Sequence, residues 1–93
     1  AGIDEAQDLF QQLKVYPNPA STQLHVEFDL SDHSDVEISV VDLLGTTVFT
    51  NSKKSLQPGS NSLVINLNNL SPGSYFLKLV SEKGQSTKRF ITL

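Results

Sequence analysis

The sequence predicts an all-β domain, an antiparallel β-sandwich of about seven strands, and three observations support this fold class. Apolar and polar residues alternate along several stretches, as they do in strands that have one buried and one wet face. Turn residues recur between these stretches, with no long helical pattern among them. The length of 93 residues is close to that of a two-sheet sandwich.

The first part of the chain, residues 1–14, is predicted to be a linker. It is rich in Asp, Glu, Gln and Ala. Ile3, Ala6, Phe10 and Leu13 follow a helical spacing, which indicates a turn or two of helix. A helix this short is only marginally stable by itself in water.

Six stretches beyond the linker are predicted to be strands, and LKVY, just before the first proline, could add a seventh. In order they are TQLHVEFDL, DVEISVV, TTVFT, NSLVINL, SYFLKLV and STKRFITL. The last stretch has apolar residues on both faces, Phe90 on one and Ile91 with Leu93 on the other. Its orientation in the sandwich is therefore ambiguous from the sequence.

DLLG, residues 42–45, is predicted to form a hairpin loop. Asp42 can accept backbone N–H bonds there, and Gly45 can take the left-handed conformation that closes the loop. Apolar residues are unusual at a turn tip, so one of Leu43 and Leu44 is expected to pack back on the core, and an exposed one would form a contact patch. Three further turns, two of them with type II chemistry, are QPGS (57–60), SPGS (71–74) and EKGQ (82–85).

VYPNPAS, residues 15–21, places two of the four prolines on either side of Asn18. Pro17 and Pro19 cannot donate backbone hydrogen bonds, and each pushes the preceding residue to an extended conformation. The segment should therefore be stiff and a poor central strand. It suits the point where a linker joins a sandwich, with Asn18 and Ser21 satisfying local backbone groups.

Composition and charge argue against several classes of function. With no cysteine, the chain has no disulfide and no thiolate ligand or nucleophile. A formal charge of −3 argues against nucleic-acid binding, which needs a basic face. No apolar run reaches the roughly 20 residues of a membrane helix. The N-terminus lacks the features of a signal peptide and does not start with Met, so a longer parent protein is expected.

No catalytic or cofactor-binding constellation can be identified, and the chain is not predicted to be an enzyme. His25 and His33 have no Cys, His or Glu neighbours at metal-site spacing. Oxygen ligands cluster in the loop 29–35, where a weak calcium site is the alternative to an ordinary turn. The loop lacks the ordered ligand spacing of a calcium loop, which favours the turn.

Four features follow one another in a definite order: VYPNPAS, VVDLLGTTV, LNNLSPGSYFLKLVSEKG and KRFITL. This combination, which covers residues 15–93, resembles the type A C-terminal sorting domain of the Bacteroidetes type IX (Por) secretion system. By resemblance, the family motifs fall on Tyr16, Pro17, Asn18 and Pro19; on Asp42 and Gly45; on Leu67, Leu70, Gly73 and Tyr75; and on Gly84, Lys88, Arg89 and Phe90.

The resemblance implies an Ig-like sandwich that acts as the secretion signal of a cargo domain in the same chain. It implies transit through the periplasm, recognition by the type IX translocon of the outer membrane, and removal by a surface sortase-like protease. The cargo would then reside at the outer membrane or cell surface, or outside the cell. The expected cut lies in residues 1–14, upstream of a sorting domain at 15–93.

The motif residues divide into fold residues and recognition candidates. Gly73 permits a turn, and a buried Tyr75 hydroxyl would need a partner, as in the tyrosine corner of sandwich domains. Lys88 and Arg89 are candidates for direct recognition, because exposed charges on a terminal strand cost little stability, and Phe90 beside them is a third candidate. The alternative function is a fibronectin- or Ig-like adhesion or binding module, which rests on the fold alone.

Overall fold

Seven strands in two sheets form the structure, a computed structural model that describes residues 9–93. The prediction of an all-β, Ig-like antiparallel sandwich of about seven strands is confirmed. The strands are β1 (Phe10–Tyr16), β2 (Gln23–Leu30), β3 (Ser34–Asp42), β4 (Thr47–Leu56), β5 (Gly59–Asn66), β6 (Gly73–Ser81) and β7 (Gly84–Thr92).

The two sheets have the strand orders β1-β2-β5 and β4-β3-β6-β7, and all neighbouring strands in them are antiparallel. The chain crosses from one sheet to the other after β2, β4 and β5. Strands β1 and β7 contact each other across one side of the sandwich. Among residues 9–93, no helix is long and apolar enough to cross a membrane.

The core lies between the sheets and is built from alternate residues, as the period-two pattern predicts. Phe10 packs edge-on against Phe28, with ring centroids 5.8 Å apart. Because the chain has no cysteine, the packing of these side chains carries the stability of the domain. The largest side chains with less than 2% exposure are Leu24, Val26, Val36, Ile38, Val40, Ile65, Leu67, Leu77, Leu79 and Phe90.

Strand β1 begins at Phe10, inside the stretch predicted to be a linker, and confirms the predicted seventh strand. Its register with β2 shifts around Gln12, whose φ is +54°. This bulge adds a residue between inward-facing positions, so buried Phe10 and half-buried Leu13 are three apart and imitate helical spacing. The helical prediction is wrong at these two positions, and the earlier half of the stripe lies outside the described residues.

Two of the predicted turns use the conformational freedom of glycine. Gly45 has φ +87° and Gly59 has φ +101°, in the region that favours glycine. The strand after the first of these turns is longer than TTVFT suggests, because β4 continues to Leu56 beside β3. As an edge strand, β4 leaves most of its side chains exposed.

Candidate functional site

The family-like motifs gather at one end of the sandwich, where β1, β3, β5 and β7 finish. The cross-strand pairs Asp42–Tyr75 and Gly73–Thr92 hold three of the segments side by side. Gly84 and Lys88 lie outside this end, because Gly84 begins β7 at the opposite end and Lys88 lies in the middle of that strand. We call this region the motif end and define it as residues 16–20, 42–46, 67–75 and 89–93.

The proline segment is joined to the last strand. Both of its X-Pro peptide bonds are cis. Asn18 Oδ1 accepts the backbone N–H of Ile91 at 3.0 Å. The Ala20 N–H donates to the Ile91 carbonyl, and the Ala20 carbonyl accepts the Leu93 N–H, both at 2.7 Å. The predicted local role of Asn18 is therefore wrong, since its partner lies 73 positions along the chain.

Hydrogen bonds hold the tip of the β3–β4 hairpin. Asp42 Oδ1 accepts the N–H groups of Leu44 and Thr46, each at 2.9 Å. The Asp42 carbonyl accepts the Gly45 N–H at 3.0 Å, so the predicted turn roles of Asp42 and Gly45 are confirmed. Leu43 and Leu44 are 63% and 90% exposed, and the expectation that one packs on the core is wrong.

The segment that leads into β6 is built around Tyr75. This residue is buried, and its hydroxyl donates to the Ser71 carbonyl at 2.5 Å. The ring stacks on Phe90, with centroids 5.8 Å apart. Leu67 is buried and Leu70 packs against the core. The expected tyrosine-corner bond is present, and the motif residues of this segment stabilise the fold.

The three recognition candidates are divided between the two faces of β7. Phe90 and Lys88 lie opposite inward-facing residues of β6, and Phe90 is fully buried. The prediction that Phe90 takes part in recognition is therefore wrong. Phe90 is a core residue, and its side chain is inaccessible to a partner of the folded domain. Lys88 is nevertheless exposed. Arg89 lies on the outer face, where its Nη2 donates to Ser74 Oγ at 3.3 Å.

An apolar row that the sequence-based predictions do not include lies on the outer face of the four-stranded sheet. Val41 pairs with Phe76, which pairs with Arg89. Val41 and Phe76 are only half-buried, because their neighbours Val40 and Leu77 are the residues that face the core. The sequence feature that indicates this row is the pair of adjacent apolar residues in SVVD and in YFLK, because two successive residues of a strand lie on opposite faces of the sheet.

A second outer-face cluster lies on the three-stranded sheet. The ring of Tyr16 stacks on His25, with centroids 5.1 Å apart, and its hydroxyl donates to the Glu27 carboxylate. This hydrogen bond, together with partial desolvation and the Glu27 charge, raises the pKa of Tyr16. His25 is thus packed against an aromatic ring and pairs with no metal-ligating side chain in the part of the chain described.

The carboxylates in and beside the loop between β2 and β3 are directed to different partners. Lys83 Nζ donates to Asp32 at 3.0 Å, and this bond, with the bond from the His33 N–H, lowers the pKa of Asp32. Asp29 and Asp35 accept hydrogen bonds from β5 and β4. Within residues 9–93, no three His, Cys, Asp or Glu side chains gather as metal ligands.

These features define an Ig-like β-sandwich domain whose motif residues build one end of the fold and leave a mixed surface exposed there. Residues 14–92 match the family model described as the secretion system C-terminal sorting domain, and the chain belongs to this family. The family consists of type IX sorting signals of Bacteroidetes and not of catalysts. Such a signal implies export of a cargo to the outer membrane, the cell surface or the extracellular space through the type IX machinery.

A solved structure shares the fold but little of the sequence. It is the crystal structure of a β-glucuronidase from Parabacteroides merdae with glycerol in its active site. The TM-score is 0.60 at 19% identity, over 89% of this chain and 13% of that chain. The likeness shows the fold alone. No curated protein matches the chain.

Proposed function

We propose that this domain is a folded signal, recognised by the type IX translocon after transit through the periplasm and then removed by a surface sortase-like protease. The motif end is the observation that carries this proposal. The Asn18–Ile91 hydrogen bond and the Tyr75–Phe90 stack bring motifs that are far apart in sequence into one surface. Such a surface exists only on the folded domain, so the translocon recognises a folded surface and not a linear peptide.

The N-terminal side of the domain supports the same proposal. Leu9 is buried, and its carbonyl accepts the Ser31 N–H at 3.1 Å, at the end opposite the motif end. Strands of seven to ten residues separate the two ends, a span of roughly 20–30 Å. A cargo joined ahead of Leu9 would therefore leave the motif end free for the translocon.

We place the cut ahead of Leu9. Proteases favour exposed, unpaired chain, whereas Leu9 and Phe10 are buried and β1 is paired with β2. The proposed linker is thereby narrowed from residues 1–14 to 1–8, and the sorting domain is extended to 9–93.

Two motif residues remain available for contact with the translocon. Lys88 and Arg89 are exposed on β7, and a charged rim is typical of protein interfaces that must associate quickly and specifically. In this scheme the domain is a binding partner and a cleavage substrate. It needs no cofactor and has no catalytic role.

An export assay tests the proposed function. Residues 1–93 are fused to the C-terminus of a periplasm-targeted reporter in a Bacteroidetes host, and the reporter is measured in the medium and on the cell surface. Export should require both residues 86–93 and a functional translocon. N-terminal sequencing of the released domain locates the cut. A stable fusion that stays in the periplasm would contradict the proposal.

A further inference from the structure

We infer that Leu43, Leu44 and Arg89 form one recognition face, which fits an apolar pocket bordered by a carboxylate on a partner protein. The inference rests on the proposed function and names the contact through which the signal is read. Leu43 and Leu44 would enter the pocket, and Arg89 would pair with the acidic group beside it.

The two leucines have no role in the fold that would explain their exposure. They are 63% and 90% exposed, while Asp42 and Gly45 supply the turn geometry. Because the backbone of the tip is fixed by these bonds, little conformational entropy is lost when a partner covers the leucines. Exposed apolar side chains that form a patch with a polar border commonly mark an interaction site.

The outer face of the four-stranded sheet connects the tip to Arg89. Val41, next to the tip, pairs with Phe76, which pairs with Arg89, so the Cα atoms of Val41 and Arg89 are about 10 Å apart. Within residues 9–93, Arg89 forms no salt bridge, and its guanidinium donates to the Ser74 hydroxyl. An exposed guanidinium can form a bidentate pair with a carboxylate.

The surroundings of the tip favour a protein over a lipid surface. Exposed polar residues at the motif end include Thr46, Asn69 and Ser71. A bilayer core would strip these groups of water without offering hydrogen bonds. A protein pocket can pair them at its rim while it covers the leucines, as apolar patches with polar borders commonly do.

The test uses the reporter fusion with matched pairs of variants. Leu43→Ser with Leu44→Ser is compared with Val64→Ser, which alters an exposed apolar residue on the other sheet. Arg89→Ala is compared with Lys53→Ala, which removes the same charge from an exposed position on edge strand β4. We expect export to fall about tenfold or more for the double leucine variant and for Arg89→Ala, and to stay near wild type for the two controls. Circular dichroism melts of the purified 93-residue chains should coincide.

The outcomes separate this inference from the proposed function. Export of the wild type together with full export of L43S/L44S would overturn the inference alone, as would equal losses in Arg89→Ala and Lys53→Ala. A wild-type fusion that is never exported would overturn both. Binding of the purified chain to phosphatidylethanolamine–phosphatidylglycerol vesicles, lost in L43S/L44S, would overturn the protein partner in favour of a membrane.

Discussion

The Tyr75 hydroxyl shows what one atom contributes to the motif end. Tyr75→Phe keeps the ring on Phe90 but leaves the Ser71 carbonyl without its donor. We expect the free energy of unfolding to fall by about 1–2 kcal/mol, measured by urea denaturation. Tyr16→Phe is the control, because that hydroxyl bonds an exposed carboxylate, and its midpoint should not change. Equal effects of the two changes would contradict the assignment.

The ion pair of Asp32 and Lys83 makes the stability of the domain depend on pH. The folded pKa of Asp32 is lowered by Lys83, so the pair stabilises the fold above the ordinary pKa of a carboxyl group and ceases to do so as the pH falls through the lowered value. Lys83→Ala should raise the pKa of Asp32 toward its ordinary value, as measured by NMR titration of its carboxyl carbon. Lys78→Ala should leave it unchanged. The difference in stability between the wild type and Lys83→Ala should shrink in strong acid, where the bond from Lys83 to the His33 carbonyl remains and the bond to the Asp32 carboxylate is lost.

At the scale of elements, the junction between the proline segment and β7 can be tested at one side chain. Asn18→Ala removes the acceptor of the Ile91 N–H and should lower the free energy of unfolding by about 1 kcal/mol. The Ile91 amide should also exchange faster with deuterium, because it is left on an open edge. Asn69→Ala, in an exposed loop at the same end, is the control. Unchanged exchange at Ile91 would show that the junction does not depend on this bond.

Undisturbed alternation made some strands predictable, as in β2, where the residues expected to face inward are buried. In β1 the bulge at Gln12 changed the spacing of inward residues from two to three, and the pattern imitated a helix. The direction of β7 depended on which apolar residue met Tyr75, and the stack selects Phe90. Propensity and periodicity describe local sequence, whereas these outcomes are set by partners in other strands.

The motif end was predictable as a set of residues but not as a surface. Asp42 and Gly45 were identified from turn chemistry, which is local. The bond from Asn18 to Ile91 has no local signal, because a side-chain amide can pair with any backbone group that the fold brings near. Likewise, only the pairing of β3, β6 and β7 shows that Arg89, and not Lys88, shares a face with Phe76.

At the scale of the whole molecule, the start of the folded unit can be tested by truncation. Removing residues 9–14 deletes buried Leu9 and Phe10 and the contact of Phe10 with Phe28. Loss of one buried Phe side chain costs about 3–5 kcal/mol, which is a large part of the total stability of a domain this size. A chain of residues 9–93 should melt cooperatively, whereas 15–93 should be largely unfolded by circular dichroism. Identical melting curves for the two chains would show that the folded domain begins at residue 15.

The seam between residues 18–20 and β7 also has a consequence for the order of synthesis. β7 is the last of the seven strands to leave the ribosome, so a polypeptide that stops before residue 89 lacks the partner of Asn18, the ring beneath Tyr75 and the guanidinium of Arg89 together. In the proposed scheme, a chain whose translation stops before β7 therefore lacks the recognition surface. The export machinery would accept only molecules in which the final strand has been synthesised.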